Sequence, residues 1–410
     1  MTLKGLDNKW VIDFTTVWAG PFTTKLLADF GAKVIKVESI QRPDFTRFLH
    51  QPSGPESDKA HNRGGYFHQF HRNKYGITLD VSRTRGRDIL MQLVKMSDVF
   101  VENYSPRVIR NLRLTYEDLV KVNPGIVMAS VHGYGNTGPY SDMPAFGSST
   151  EALGGFRGLV GYGDGLPVMP GTTTADPVAS LHTVFAILSA LVQKEKTGKG
   201  QLIDSSIHES IACIMPEAML EYTITRQEPK QLGARHAYLS PYGYYRCKGD
   251  YAWVAISITS DKEWEALCRV IGNPALNVER FADPLSRWKN QDEIDRIIGE
   301  WAAGHEHQEA MEILQGAGIP AGACLNAKEV LSNRHLNERE CFWDITSPDT
   351  GTYPLIGPII KMSETPATLR MPPPALGEHN EYVLKELLGM SADDITSLTE
   401  ERIIGDTPAY

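Results

Sequence analysis

VIDFTTVWAGPFTTKLLADFGAKVIKVE, residues 11–38, is the stretch that decides the fold. Residues 10–14 (WVIDF) are apolar, β-branched and aromatic in a run too short for a helix, which predicts a buried strand. After the turn TTVWAGP, apolar residues recur at helical spacing from Phe22 to Phe30, and Gly31 stops the helix. AKVIKVE, residues 32–38, then reads as a second strand. A strand, turn, helix and strand in this order imply a parallel pair joined by a right-handed crossover. The pattern returns in YGITLDV, a helix from Arg85 to Lys95, and DVFVENY, followed by a helix from Tyr116 to Val122 and the strand IVMASVHGY. The N-terminal third is therefore predicted to be a doubly wound α/β sheet.

Beyond it the character changes. Residues 134–175 are rich in Gly, Ser, Thr and Pro with little periodicity, as expected of long loops lying over a site. PVASLHTVFAILSALVQKE, residues 177–195, is apolar around much of its circumference, which predicts a buried helix ended by TGKG. A strand (QLIDSSI) and a helix to about Tyr222 follow. The expected organisation is a large domain over 1–225, a linker at 226–243, a small α/β domain over 244–325, a second linker at 326–365, and a return to the large domain over 366–410.

Composition narrows the function. The 410 residues are 41% hydrophobic and 22% charged, as in ordinary globular proteins. A net charge of -9 with scattered Lys and Arg offers no field for a nucleic-acid backbone. The five cysteines are far apart and show neither paired nor metal-ligand spacing, so no metal site and no disulfide framework is expected. No charged leader with an apolar core opens the chain and no run of about 18 apolar residues occurs, so a cytoplasmic protein without membrane partners is expected. The glycines of GGFRGLVGYGDG, residues 154–165, do not sit between a strand and a helix, so they predict no dinucleotide site. A P-loop and a GxSxG elbow are both missing.

In TTTADPVASLHTVF, residues 172–185, Asp176 stands directly before Pro177, the strongest helix-start signal in the chain, with Asp as N-cap and Pro as first helical residue. An Asp-Pro pair at a helix start is most often a structural cap. The same placement also holds a carboxylate ionised at the positive helix end, open to reactants through a loop of small residues.

The chain resembles the family III CoA-transferases, a group that includes formyl-CoA:oxalate transferase, the carnitine CoA-transferases and related acyl-CoA racemases. The resemblance rests on residues 11–38, NKYGITLD, VFVENYSP, HGYGNTGP, the Asp176 segment, TGKGQLIDSSIHES, GARHAYLSPYG, AGIPAG and LGEH, in the family's order over some 370 residues. It implies that Asp176 is the nucleophile, forming a mixed anhydride with the donor acyl group and then an aspartyl-CoA thioester. It further implies a Rossmann-like large domain with a small α/β domain, two chains interlocked as a homodimer or paired with a related non-catalytic subunit, and no permanently bound cofactor. Acyl-CoA and a free carboxylic acid, with succinyl-CoA as a candidate donor, would be the substrates.

The resemblance also assigns candidate coenzyme A contacts. Val17, Trp18 and Ala19 would approach the thiol arm, with Trp18 where formyl-CoA transferase has Gln. Ser39, Asn73, Lys74, Asn103, Tyr104, Gly133 and Tyr134 would line the remainder. Arg107 and Arg110 would meet the phosphates, because Ser105 and Asn111 replace basic residues of the relatives. The flap that excludes water would be Gly233 to Gly243, including Tyr238. Phe146 and Gly147 fall where racemases keep a His-Asp pair, which argues against racemase chemistry. Trp18, Phe146 and the Tyr-rich stretch 238–245 suggest an acceptor acid larger and less polar than oxalate, aromatic or branched.

Overall fold

A computed structural model of the chain describes residues 5–49, 59–163, 165–169 and 171–409. The chain divides into two compact units: one comprises Met1–Phe156, Met169–Met219 and Glu340–Tyr410, the other Arg157–Val168 and Leu220–Arg339.

The first unit is built on six parallel strands: β1 (Trp10–Phe14), β2 (Lys33–Glu38), β3 (Lys74–Thr78), β4 (Val99–Glu102), β5 (Val127–His132) and β6 (Leu202–Ser206). Their spatial order is β3-β2-β1-β4-β5-β6. The helices along the chain to this point are α1 (Ala19–Asp29), α2 (Gly65–His71), α3 (Thr84–Met96), α4 (Pro106–Leu112), α5 (Tyr116–Leu119), α6 (Gly147–Leu153), α7 (Phe156–Leu159), most of which belongs to the second unit, and α8 (Ala175–Thr197). Successive strand residues point to opposite faces, and the core records this alternation. Ile12, Phe14, Ile35, Val37, Phe100 and Met128 face α3 and the C-terminal residues Val383, Leu384 and Leu398. Val11, Val34, Val99, Val101, Val127 and Ala129 face α1 and α8, where Ala28, Ala175, Ala179 and Ala190 let the helices approach closely.

That second face also buries charge. Lys74 Nζ lies 2.8 Å from Asp13 Oδ2 and Lys36 Nζ 3.0 Å from Asp44 Oδ2, all four side chains fully buried. Arg47 pairs with Glu38 at 2.6 Å and Arg72 with Asp29 at 2.7 Å, also in the interior. Buried ions persist only when paired and hydrogen-bonded, so these four pairs act as fixed internal struts.

Helix α8 ends at TGKG as expected, with Gly198 as its left-handed C-cap, but departs from expectation at its start and along one face. It begins at Ala175, so Asp176 lies in the first turn rather than at the cap, and the N-cap Thr174 makes no side-chain bond. Ala179, Ser180, Thr183, Ile187 and Leu191 are buried, while Leu181, Phe185, Leu188 and Val192 face outward, Phe185 at 74% exposure. It is the one helix among the described residues long and apolar enough to cross a membrane. Ser, Thr and His positions interrupt it, which is why no unbroken apolar run stands out in the sequence.

The second unit holds an antiparallel sheet, β7 (Tyr242–Arg246), β8 (Trp253–Ser257) and β9 (Ala321–Ala323), packed with helices Asp261–Ile271, Gln291–Ala302 and His307–Gly316. The partition differs from the sequence boundaries: residues 226–243 lie within this unit, and the first unit resumes at Glu340. A hairpin of β10 (Phe342–Ser347) and β11 (Gly351–Ile356) occupies much of the expected second linker. It belongs to the first unit because Tyr353 stacks on His68 and the Ile356 carbonyl accepts from Arg72.

Candidate active site

In open parallel sheets ligands bind beyond the carboxyl ends of the strands, where the winding reverses. Here that point lies between β1 and β4, and a cavity of about 580 Å3 opens there. Thr16, Val17 and Trp18 follow β1, Asn103 to Pro106 follow β4, and His132 and Gly133 end β5. Tyr66 of α2, residues 143–148, and Thr173 and Asp176 at the start of α8 complete the wall.

Asp176 is 9% exposed. Its Oδ2 accepts from Thr173 Oγ1 at 2.7 Å. Burial pushes its pKa above the usual 3.8 and the nearby Glu151 charge adds to this, against the Thr173 hydrogen bond. Glu151, wholly buried on α6, accepts from the Thr174 and Ala175 backbone N–H groups, the latter at 3.0 Å. The helix end is thus capped by a side chain from another helix. Gly147, first residue of α6, packs so closely that an added Cβ would lie 2.1 Å from Asp176 Oδ2.

The predicted residues divide sharply. Val17, Trp18, Asn103, Tyr104, Gly133, Phe146, Gly147 and Asp176 meet at the cavity, and Ala19 is buried behind it with its carbonyl held by Ser180 Oγ at 2.7 Å. Lys74 does not reach it. Its ammonium donates inside the core to Asp13, the Pro21 carbonyl and Thr24 Oγ1, and desolvation lowers its pKa to about 8. Asn73 is likewise consumed: it donates to Asp29 and the Thr368 carbonyl and accepts from the Arg370 and Met371 N–H groups, tying the C-terminal segment to β3. Neither has a donor left for a ligand.

Ser39 lies outside the cavity in a bridge with Arg42. Tyr134 packs edge-on against Tyr140 and His208, also outside the lining. Arg107 is exposed on α4, and Arg110 is paired with Asp142 at 2.9 Å. Of the flap residues, Gly233 and Gly243 border a separate cavity of about 520 Å3 within the second unit, and Tyr238 is 70% exposed against His236.

Residues not singled out from the sequence are Tyr66, Thr173, Glu151, and the pair Glu102–His132. Tyr66 packs edge-on against Trp18 at 5.8 Å, and burial, with the Asp176 charge, pushes its hydroxyl pKa up to about 12. His132 donates to Glu102 at 2.8 Å, and Glu102 also accepts from the Tyr104 N–H at 3.0 Å, which locks the ends of β4 and β5 together. A third groove, about 430 Å3, is lined by Arg83, Arg87, Asn111 and Arg113. Only Thr173 had a sequence signal, its place three residues before the candidate nucleophile.

The fold is a doubly wound parallel sheet with a mostly buried carboxylate facing a cavity at its switch point, the place where such sheets bind their ligands. Residues 6–380 match the family model described as CoA-transferase family III. The chain is 33% identical over 404 residues to succinyl-CoA–D-citramalate CoA-transferase of Chloroflexus aurantiacus, covering 98% of each chain. It is 34% identical to the beta subunit of succinyl-CoA–L-malate CoA-transferase of the same organism, covering 96% of each. A crystal structure of a CAIB/BAIF family protein from Brucella suis superposes with a TM-score of 0.84 at 28% identity, covering 94% of this chain and all of that one. The chain belongs to CoA-transferase family III and is a CoA-transferase.

Proposed function

We propose that the enzyme moves coenzyme A from an acyl-CoA to a free carboxylic acid through covalent intermediates on Asp176. The observation that carries this reading is a mostly buried carboxylate facing the switch-point cavity, its basicity raised by burial. An Asp176 oxygen attacks the thioester carbonyl and expels the CoA thiolate, leaving a mixed anhydride. The thiolate attacks Cγ of Asp176, releasing the donor acid and forming an aspartyl-CoA thioester. The acceptor carboxylate attacks that Cγ and expels thiolate, which then attacks the acceptor's carbonyl and frees Asp176. No step consumes a proton, so a carboxylate without an adjacent acid or base suffices.

The Trp18, Tyr66, Met143, Phe146 and Met169 side chains favour an acceptor with an apolar body, aromatic or branched. The names of the two Chloroflexus relatives support succinyl-CoA as donor. For the CoA phosphates, the groove of Arg83, Arg87 and Arg113 is a better candidate than Arg107 or Arg110. It adjoins the far end of α4 from the cavity, and seven helical residues span roughly 10 Å. The outward stripe of Leu181, Phe185, Leu188 and Val192 supports assembly with a second chain, like or unlike. Sedimentation that finds a stable folded monomer would argue against this assembly.

The chemistry is tested by intact mass of the wild type and Asp176→Ala after succinyl-CoA and acid quench. A hydroxylamine-sensitive adduct mapping to residue 176 is expected on the wild type alone; its absence with every acyl-CoA tried refutes the nucleophile. Oxalate outcompeting aromatic and branched acids would refute the acceptor class.

A further inference from the structure

The two carboxylate oxygens of Asp176 meet different fates in the transfer. The oxygen that attacks the donor becomes the bridging atom of the anhydride, and it departs with the donor acid when the CoA thiolate attacks Cγ. The other stays bonded to Cγ throughout. It is the carbonyl oxygen of both the anhydride and the thioester, and it takes up the electron pair of that carbonyl each time Cγ is attacked. A hydrogen-bond donor on this oxygen therefore meets a weakly basic carbonyl in the covalent intermediates and a full negative charge in the tetrahedral species between them.

Thr173 is placed to be that donor. Its Oγ1 donates to Asp176 Oδ2 at 2.7 Å, and both residues line the switch-point cavity. Packing confines the pair. A Cβ on Gly147 would lie 2.1 Å from Asp176 Oδ2 and 2.7 Å from Thr173 Oγ1, so the first residue of α6 closes over this hydrogen bond from one side. Oδ2 is thus crowded by Gly147 and occupied by the hydroxyl, which leaves Oδ1 as the attacking atom. The backbone donors of the next two residues are committed elsewhere, since Glu151 accepts from the Thr174 and Ala175 N–H groups.

We propose that Thr173 is a catalytic residue of the transfer: its hydroxyl is the oxyanion donor for every attack on Cγ of Asp176. When the thiolate attacks Cγ of the anhydride, the carbonyl pair moves onto Oδ2 and the Thr173 hydrogen bond strengthens on the oxyanion. Collapse re-forms the carbonyl, breaks the Cγ–Oδ1 bond and releases the donor carboxylate with Oδ1. The acceptor carboxylate's attack on the aspartyl-CoA thioester draws on the same hydrogen bond and expels the CoA thiolate. No proton leaves Thr173. In the first step the sign reverses, because the Asp176 carboxylate gives up charge as it bonds to the donor and the hydrogen bond to Oδ2 weakens. Thr173 therefore gives no help to attack by Asp176 and speeds both attacks on it. The inference rests on Asp176 being the nucleophile.

That difference in sign supplies the test, because a residue that only orients the carboxylate would help every step. The wild type, Thr173→Val, Thr173→Ser and Asp176→Ala are mixed with saturating succinyl-CoA, quenched rapidly in acid and read by intact mass, which separates the succinyl adduct of the first step from the coenzyme A adduct of the second. Thr173→Val keeps the shape of the side chain without its donor. It is expected to unfold cooperatively and to form the succinyl adduct no more slowly than the wild type, but to convert it to the coenzyme A adduct on the order of 10²-fold more slowly, as when one oxyanion donor is removed. Succinate added to the preformed coenzyme A adduct should discharge it more slowly by a similar factor. Thr173→Ser, which restores the hydroxyl, recovers most of both losses. If Thr173→Val slows the succinyl adduct as much as its conversion, Thr173 only orients Asp176; if conversion keeps the wild-type rate, the hydroxyl is not the oxyanion donor; either result overturns the proposal. If the wild type forms no adduct at residue 176, the nucleophile itself is wrong, a failure visible before any Thr173 variant is compared.

Discussion

Gly147→Ala separates folding from chemistry at the candidate nucleophile. The added Cβ would lie 2.1 Å from Asp176 Oδ2, 2.7 Å from Thr173 Oγ1 and 2.9 Å from Thr173 Cβ, against ordinary contacts of roughly 3.5–4.0 Å. Something must move by more than about 1 Å, and the carboxylate is the freest group to do so, being the end of a rotatable side chain. Gly147 begins α6 with no positive φ, so alanine is compatible with the backbone and improves helix propensity by about 1 kcal/mol. Turning Asp176 away breaks its 2.7 Å bond from Thr173. A misplacement of about 1 Å at a reacting group costs on the order of 10²-fold in rate. The variant should therefore unfold within a few degrees of the wild type but form the residue-176 adduct about a hundredfold more slowly. Adduct formation within threefold of wild type, with the fold intact, would refute this placement of the carboxylate.

Three further outcomes are expected. Because burial and Glu151 raise the Asp176 pKa, the carboxylate nucleophile is lost as pH falls through a value above 3.8; Glu151→Gln keeps an acceptor for the Thr174 and Ala175 N–H groups, so kcat/KM should persist to lower pH, and an unmoved acid limb contradicts the coupling. A raised folded-state pKa means that the native protein binds more protons than the unfolded chain above 3.8, so ionised Asp176 costs stability as pH rises through that window. Asp176→Asn should thus melt no lower than the wild type at pH 7, and a clear drop in scanning calorimetry would show that the buried charge is fully compensated by its neighbours. Lys74→Met strands Asp13 in the core and should cost about 3–5 kcal/mol in urea unfolding, while a loss under about 1 kcal/mol would mean that Asp13 finds another partner.

The winding of the sheet was legible because local patterns specify it. The apolar runs at 10–14 and 32–38 with the helical spacing between them admit one crossover, and the structure has β1, α1 and β2 there. Asp176 was legible through Asp-Pro and the resemblance around it. Lys74 and Asn73 misled because a Lys and an Asn in a loop-like string look solvent-facing, whereas their neighbours in space, Asp13, Asp29 and residues 368–371, come from distant segments. The cap was misread for the same reason: Asp176 has the sequence of an N-cap, but Glu151 on α6 takes the N–H groups, leaving Asp176 free to face the cavity.

Sequence alone determined the strands and crossovers of the parallel sheet, since hydrophobic period acts over a few residues, and its helix-start pair together with the family resemblance marked Asp176 as the candidate carboxylate. Tertiary structure decided which charges are struts and which remain available, that burial and Glu151 raise the Asp176 pKa, and that Glu151 rather than Asp176 caps α8. Each of these depends on desolvation and on hydrogen bonds between residues tens to hundreds apart in the chain, which no local pattern encodes.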